Sequence, residues 1–139
     1  MEDRYLFKAK RIDNGEWVQG ALFNGESHCI IGQEIKFSPY TEHECKIVGY
    51  EVDRDTICQC TGLKDKNGKM LWENDILVGY LDDMYQENAT YAQVIWDKNG
   101  FYTKEQYSDD ISLMDEFDEK HFEVCGNIFD NPELLESEE

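Results

Sequence analysis

The chain has 139 residues, 31 of them acidic and 13 basic, so that its formal net charge is −18. A hydrophobic fraction of 40% and an aromatic fraction of 13% exclude a disordered protein, and the length suits one domain or two small packed units. An acidic surface repels phosphate backbones, which argues against direct binding of nucleic acid.

Hairpin signals dominate the chain. Four Asn-Gly dipeptides lie between apolar runs, at residues 14–15, 24–25, 67–68 and 99–100. Both residues tolerate positive φ, so this dipeptide is the strongest local signal for a β-hairpin. The strand-like runs are, in chain order, Tyr5–Ile12, Trp17–Phe23, Lys46–Val52, Thr56–Gln59, Asp75–Tyr80, Thr90–Trp96, Phe101–Thr103 and Phe122–Phe129. Short strands separated by turn signals predict a mainly β, antiparallel, hairpin-rich and barrel-like fold with at most one or two short helices.

Residues 105–121 interrupt the strand pattern, because they are dense in acidic side chains. Apolar residues at positions 111, 114 and 117 share one helical face, and Ser108 or Asp109 would cap the start of that helix. A short helix and an ordered acidic loop both fit this segment. Further on, Asn131-Pro132-Glu133 has the order of an N-cap, a first-turn proline and a dipole-compatible acid, which predicts a single turn through Leu135.

The negative charge is unevenly distributed. Residues 1–60 hold 7 basic and 11 acidic residues, a net charge of −4, whereas residues 61–139 hold 6 basic and 20 acidic residues, a net charge of −14. We therefore expect a boundary near residue 60, between an N-terminal β-hairpin region (residues 1–60) and a C-terminal acidic, β-barrel-like region (residues 61–139). No Pro/Ser/Gly linker marks this boundary, so we expect the two regions to pack together as one compact unit.

The cysteines and the N-terminal residues predict a cytoplasmic location. Residues 1–12 mix charged with apolar side chains and lack the continuous apolar region of a secretory signal. No run approaches the roughly 18 apolar residues that indicate a membrane span. The five cysteines are an odd number and follow no secreted disulfide framework, so we expect reduced thiols.

Two segments are the most distinctive parts of the chain. Residues 61–76, the signature segment, place a turn signal between two apolar runs and end on an acidic Glu-Asn-Asp before a strand; the other block is residues 124–135. With Gly15-Glu16-Trp17-Val18-Gln19-Gly20, they resemble the YopX protein family, small proteins encoded by phages and prophages of bacteria. The resemblance covers most of the chain and is weakest over residues 24–45 and 80–120. It implies a mainly β, barrel-like fold that can form oligomers, and it supplies no reaction.

The end of the signature segment carries the best-placed pair of carboxylates. Glu73-Asn74-Asp75-Ile76 is similar to the family's usual Glu-Gly-Asp-Ile, and Asn in place of Gly fits a turn with positive φ. Glu73 and Asp75 are expected to share a strand face beside Trp72. They would either act as acid and base in a hydrolase, which needs raised pKa values, or fix the turn by accepting backbone N–H groups. We favour the second interpretation. The signature-turn residues are Gly62, Asn67, Gly68, Glu73 and Asp75.

Metal, cofactor and nucleophile signals are weak. Soft metal ligands occur in three clusters, His28-Cys29, His43-x-Cys45 and Cys58-x-Cys60. A one-residue gap is atypical of zinc sites, and a buried free cysteine is the commoner outcome. The chain contains neither a Gly-x-Ser-x-Gly elbow nor a phosphate-binding glycine loop. We therefore expect no metal, no cofactor and no enzymatic activity.

Three functions remain to be weighed. The preferred one is a phage or prophage accessory protein that acts as a protein-interaction module. Its candidate partners are a basic host protein and a second copy of the chain, which would form a homo-oligomer. We expect it to bind neither nucleic acid nor a membrane. The first alternative is an acidic mimic of nucleic acid that blocks a host DNA- or RNA-binding protein. The second is the carboxylate-based hydrolase. The candidate interaction residues are Asp109, Asp110, Asp115, Glu116, Asp118 and Glu119.

Overall fold

A computed structural model describes residues 5–36, 45–80 and 89–136 of the chain. These residues form two antiparallel sheets, one α-helix and two 3₁₀ turns, and they divide into two compact units, Met1–Cys60 and Thr61–Glu139. The predicted mainly β, hairpin-rich fold is confirmed. Within the described ranges, no helix has the length and apolar character that spanning a membrane requires.

The first unit is a meander of strands. Its elements are β1 (Phe7–Lys10), β2 (Trp17–Asn24), β3 (Cys29–Lys36), β4 (Cys45–Glu51), a 3₁₀ turn (Arg54–Thr56) and the first residues of β5 (Cys58–Lys64). The strand order is β4-β3-β2-β1-β5. Alternate side chains of these strands point to one face, so that Ala9, Val18, Cys29, Ile31 and Val52 form a buried core.

The second unit contains the remaining elements. The end of β5 lies beside β6 (Met70–Trp72), and a five-stranded antiparallel sheet has the order β10-β9-β8-β7-β11. The elements of this part are β7 (Asp75–Tyr80), β8 (Ala89–Asp97), β9 (Gly100–Glu105), β10 (Ile111–Leu113), α1 (Glu116–His121), β11 (Phe122–Asn127) and a 3₁₀ turn (Pro132–Leu135). Its core consists of Leu71, Leu77, Ala92, Val94, Met114 and Phe122.

All four Asn-Gly dipeptides lie at the turns between neighbouring strands. They join β1 to β2, β2 to β3, β5 to β6 and β8 to β9. The turns nevertheless differ, because Gly15 and Gly68 have φ of 71° and 82°, whereas at residues 97–100 the positive φ of 46° belongs to Lys98. The repeated Asp-Lys-Asn-Gly at residues 65–68 and 97–100 therefore adopts two backbone conformations.

Several strand and helix boundaries differ from those expected. Strands β3, β6 and β10 lie outside the strands expected from the sequence; β6 and β10 have only three residues each. Thr56 lies in a 3₁₀ turn rather than a strand, because the Asp53 side chain accepts a hydrogen bond from Asp55 N at 3.0 Å. The turn Pro132–Leu135 lies where it was expected.

The acidic segment contains both a strand and a helix. Ile111 lies in β10 and pairs with Lys104, so the expected helical face through positions 111, 114 and 117 is wrong. The helix begins at Glu116, and its N-cap is Asp115 rather than Ser108 or Asp109. Each sheet is open in the described part of the chain, so the expected barrel-like architecture holds only in the loose sense of hairpins packed around a core.

Gly79 is required by close packing within the second unit. A Cβ atom at this position would lie 2.7 Å from Phe122 Cε1 and 3.3 Å from His121 O. Because the buried Phe122 ring or the His121 backbone would have to shift, Gly79→Ala is expected to lower the free energy of unfolding by about 1–3 kcal/mol in urea denaturation. The control is Gly100→Ala in β9, whose nearest contact would be Leu113 Cδ1 at 3.4 Å. Equal losses in the two variants would contradict the packing argument.

Candidate functional site

The signature segment is held by one buried carboxylate, that of Asp65. Its Oδ1 accepts hydrogen bonds from Asn67 N at 2.9 Å and Lys69 N at 2.8 Å, and its Oδ2 accepts one from Val124 N at 3.0 Å. The residue is only 6% exposed. Asp65 therefore closes the β5–β6 turn and joins it to β11.

Neighbouring bonds repeat this connection between the turn and β11. Lys66 N donates to Phe122 O at 3.0 Å, and Asn67 Nδ2 donates to Glu123 Oε2 at 3.0 Å. Gly62 and Gly68 are exposed and both have φ of 82°, a region in which glycine lacks the steric penalty of other residues. Gly62, Asn67 and Gly68 thus shape the backbone of this part of the signature segment.

The second turn of the signature segment also depends on a buried carboxylate. Asp75, 3% exposed, accepts a hydrogen bond from Trp72 N at 2.8 Å through Oδ2. Between them, Asn74 has the positive φ, 71°, that was expected from its place in the motif. Asn74 also accepts two hydrogen bonds: its side-chain Oδ1 from Gln93 Nε2 at 3.2 Å, and its backbone carbonyl oxygen from Ile128 N at 3.1 Å.

This geometry gives Asp75 the turn-fixing role. Glu73 lies in the turn itself, whereas Asp75 begins β7, so the expectation that the two share a strand face is wrong. Cys125, across from this turn on β11, donates its thiol to Ile76 O at 3.4 Å. Burial raises the pKa of the Cys125 thiol, and the nearby Glu123 and Asp75 carboxylates add to the increase, which opposes formation of a nucleophilic thiolate.

The six acidic residues of the predicted interaction segment do not form one exposed row. Asp109, Asp110, Asp115 and Glu116 are exposed, whereas Asp118 is buried. Asp115 and Asp118 form the capping box of α1: Asp115 Oδ1 accepts from Phe117 N at 2.9 Å, and Asp118 Oδ2 accepts from Asp115 N at 2.9 Å. Glu119 Oε1 accepts from Lys64 N at 3.1 Å. Half of the set therefore binds the protein's own backbone.

A cleft of about 350 Å³, here named the α1 cleft, lies between α1 and the five-stranded sheet and is lined in part by the edge strand β10. Its lining combines apolar side chains with hydroxyl and carboxyl groups. The lining residues are Gly79, Thr90, Thr103, Glu105, Ser112, Leu113, Asp115, Phe117, Asp118, His121 and Phe122. The cleft is the polar continuation of the core, because Thr90 and Thr103 follow the core side chains of β8 and β9 on the same face.

Asp118 is the most buried acidic group of the cleft, at 6% exposure. Burial raises the pKa of this carboxyl above its ordinary value of 3.8, and the adjacent Asp115 carboxylate adds to the increase. Its Oδ2 is used by the capping box, whereas Oδ1 has no hydrogen bond among the described residues. Asp118 lines the cleft, and since no fully buried side-chain oxygen in the described ranges lacks a partner, its Oδ1 keeps some access to solvent.

His121 stands at the rim of the cleft in a fixed tautomer. Its Nδ1 lies 2.9 Å from Phe117 O, and a carbonyl oxygen only accepts, so Nδ1 carries the hydrogen. In the neutral ring, Nε2 is then the acceptor. The ring stacks on Phe117, with centroids 4.0 Å apart and an interplanar angle of 18°.

Large apolar side chains are exposed next to this cleft. Leu113 is 62% exposed and Phe117 is 59% exposed, and both line the cleft. Ile111 lies two residues before Leu113 on β10 and therefore shares its side of the strand. We name Ile111, Leu113 and Phe117 the apolar rim.

The three clusters of candidate metal ligands weighed from the sequence are only partly within the described residues. Cys29, Cys58 and Cys60 are buried cysteines that form no disulfide within the described residues, and His28 Nδ1 pairs with Glu51 Oε1 at 2.8 Å. No group of three or more metal-ligating residues occurs in the part of the chain that the structure describes. His43 and the side chain of Cys45 lie outside it.

Sequence reasoning did not single out Asp65, Thr103, Glu105 or His121. Asp65 carried a usable signal, because the side chain of an Asp at the start of a turn such as Asp-Lys-Asn-Gly often accepts the backbone N–H two residues later. Asp115-x-x-Asp118 likewise has the spacing of a capping box. The residues of the cleft carry no local signal, since they converge from five strands and one helix.

Comparison with known proteins agrees with this fold. A family model described as YopX protein matches residues 6–136. The crystal structure of protein EF1440 from Enterococcus faecalis is similar, with a TM-score of 0.61 and 28% sequence identity over 94% of this chain and 96% of that one. No curated protein matches the sequence.

The bonds of Asp65 predict a large loss of stability on its removal. Asp65→Ala leaves three backbone N–H groups without their acceptor, so the free energy of unfolding should fall by about 2–4 kcal/mol. Asp97→Ala is a matched control, because Asp97 begins the other Asp-Lys-Asn-Gly and its side chain accepts no comparable bond in the described ranges. Its loss should stay below about 0.5 kcal/mol in the same urea titration. A similar loss in both variants would refute the assigned role of Asp65.

The raised pKa of Asp118 predicts a specific pH dependence. Between the ordinary pKa of 3.8 and the raised one, the folded chain keeps a proton that the unfolded chain has lost, so Asp118 makes stability fall as pH rises. Asp118→Asn removes this titration and keeps an acceptor for Asp115 N. The unfolding free energy of the variant minus that of the natural chain should therefore increase as the pH rises above about 4 and level off above the raised pKa of Asp118. Taking the difference cancels the other acids, and a flat difference in urea unfolding would contradict the assignment.

Proposed function

We propose that this chain, which belongs to the YopX protein family, is a non-enzymatic protein-interaction module whose partner binds at the apolar rim of the second unit. The observation that carries the proposal is the exposure of Leu113 and Phe117, which line an acidic cleft, together with the exposed Ile111 two residues before Leu113 on β10. Protein interfaces place apolar and aromatic anchors at the centre and polar groups around them. The rim and its acidic surroundings have this composition.

The backbone of β10 offers a second means of attachment. This strand ends the order of its sheet, and all three of its residues are exposed. An edge strand presents N–H and C=O groups to which an extended segment of a partner can pair. With three residues, β10 supplies only a short ladder, so the side chains of the rim would provide most of the specificity.

Charge favours a basic partner. Residues 61–139 carry a net charge of −14, and the exposed Asp109, Asp110 and Glu116 lie in the same segment as the rim. Such a field accelerates encounter with a basic protein and repels acidic ones. We place the interaction in the bacterial cytoplasm and assign the module to a phage or prophage as an accessory protein, in keeping with the resemblance of the signature segment. Self-association through the same rim is the competing outcome.

The two alternative functions have less support. A mimic of nucleic acid needs a row of accessible carboxylates, whereas Asp118 is buried and Glu119 accepts the Lys64 amide. A hydrolase built on Glu73 and Asp75 needs a carboxylate that is free to exchange protons with a substrate. Asp75 is instead buried and bonded to Trp72 N.

The proposal predicts that truncating the rim abolishes partner binding without unfolding the chain. We expect Leu113→Ser with Phe117→Ser to reduce the recovery of the bound protein from bacterial lysate at least about tenfold, since two anchors are removed. Ile47→Ser is the control, because Ile47 is a large exposed apolar residue of the first unit. Circular dichroism verifies folding, and sedimentation at several concentrations detects self-association.

Each outcome of this experiment bears on the proposal. Loss of the same protein in the rim variant, with retention by Ile47→Ser, supports a partner at the rim. Loss of a concentration-dependent dimer in the rim variant identifies a second copy as the occupant. Equal recovery by both variants would overturn the placement of the interaction, and substrate turnover that vanished on Glu73→Gln would overturn its non-enzymatic character.

A further inference from the structure

We propose that the α1 cleft binds the cationic end of a lysine or arginine side chain. This inference rests on the proposed function, because it assigns the partner's contact beside the apolar rim to a definite chemistry. The cleft has a volume of about 350 Å³, which accommodates such a group together with its alkyl stem.

The charges that line the cleft are almost all negative. Glu105 contributes a carboxylate from β9, and Asp115 and Asp118 contribute theirs from the start of α1. The lining contains neither lysine nor arginine, and its one basic residue is His121. An anionic ligand would meet repulsion from all three acids, whereas a cation would gain from each of them.

The innermost of these acids has an unused acceptor. Asp118 lines the cleft and is 6% exposed; its Oδ2 accepts a hydrogen bond from Asp115 N, and its Oδ1 has no hydrogen bond among the described residues. Burial disfavours the charged form of a carboxyl group, so the pKa of Asp118 is raised although the Asp115 amide donates to it. An ammonium or guanidinium group would supply the missing donor in a charge-assisted bond.

Hydroxyl groups complete the polar end of the cleft. Thr103, 5% exposed, directs its Oγ1 towards Ser112 O at a long 3.5 Å, which is a weak bond. Thr90 and Ser112 lie on the neighbouring strands and line the same space. An ammonium group has three donors and a guanidinium group has five, so either can bond to Asp118 and to hydroxyl oxygens together.

The apolar rim suits the stem of the same side chain. Leu113 and Phe117 both line the cleft and are both exposed at its edge. Lysine and arginine cover apolar surface with their methylene groups while the charged end reaches a polar site. His121 does not compete for the acids with its Nδ1 hydrogen, because that hydrogen is directed at Phe117 O.

The test is a titration of the full chain with a single charged side chain. The ¹⁵N-labelled protein is titrated with Nα-acetyl-lysine N-methylamide and, separately, with the same compound acetylated on Nε, which is close in shape but uncharged. We expect saturable shifts of the Ser112, Asp115 and Asp118 amides with the charged compound and no saturable shift with the uncharged one. Shifts spread evenly over the acidic surface, or equal shifts with both compounds, would overturn the proposal.

Variants distinguish binding of the lysine compound in the cleft from its general electrostatic attraction to a chain whose net charge is −18. Asp118→Asn and Glu105→Gln should each weaken binding of the charged compound by about tenfold, since each removes a charged acceptor. Glu105 is exposed, so its replacement leaves the fold intact even where Asp118→Asn disturbs the capping box. Asp109→Asn and Glu116→Gln remove the same charge outside the lining and should change binding less than twofold; equal weakening by all four variants would refute the cleft as the site.

Failure of this inference is distinguishable from failure of the proposed function. If truncation of Leu113 and Phe117 abolishes partner binding while the lysine compound gives no saturable shift, the interaction module stands and the assigned chemistry is wrong. If the lysine compound binds in the cleft while the rim variant retains its partner, the partner binds elsewhere and the proposed placement is wrong.

Discussion

The three hydrogen bonds that Asp65 accepts constrain most of the second unit. They join the β5–β6 turn to Val124, on β11, and β11 pairs with β7 at the end of the five-stranded sheet. Helix α1 runs directly into β11, so its position over the sheet depends on where that strand is held. The α1 cleft lies between this helix and the sheet. Asp65 therefore influences the shape of the cleft, although it is not one of the residues that line it. Burying the Asp65 carboxylate is tolerated because three backbone N–H groups donate hydrogen bonds to it, and the carboxylate in turn supplies those groups with an acceptor.

Acidic residues serve several purposes in this chain, and burial distinguishes them. Asp65 and Asp75 are buried acceptors that close the two turns of the signature segment. Asp115 and Asp118 form the capping box at the start of α1, and both also line the cleft. Asp109 and Glu116 are exposed and contribute to the long-range field. The net charge of −18 thus combines groups that hold the fold with groups that remain available to a partner.

The apolar rim and the cleft together resemble the arrangement of many interaction surfaces. Exposed leucine and phenylalanine side chains lose unfavourable contact with water when a partner covers them. Carboxylates beside them select the charge of that partner and disfavour partners of the wrong sign. The family to which the chain belongs and the similar protein from Enterococcus faecalis support the fold but assign no partner. The rim and the cleft are therefore the features from which a partner is inferred.

The amino-acid sequence by itself determined the fold class, the four hairpin turns at Asn-Gly, the positive φ of Asn74 and the family. These features depend on local conformational preferences and on apolar alternation, which act over a few residues and are visible in a linear string. Only the tertiary structure decided that Asp65 binds Val124, 59 residues away, and that Asp118 is buried while Asp109 is exposed. It also decided where α1 begins, because pairing with β9 draws Ile111 into a strand despite the helical spacing of the apolar residues. Burial and long-range pairing follow from the packing of whole strands against one another, and neighbouring residues carry no record of that packing.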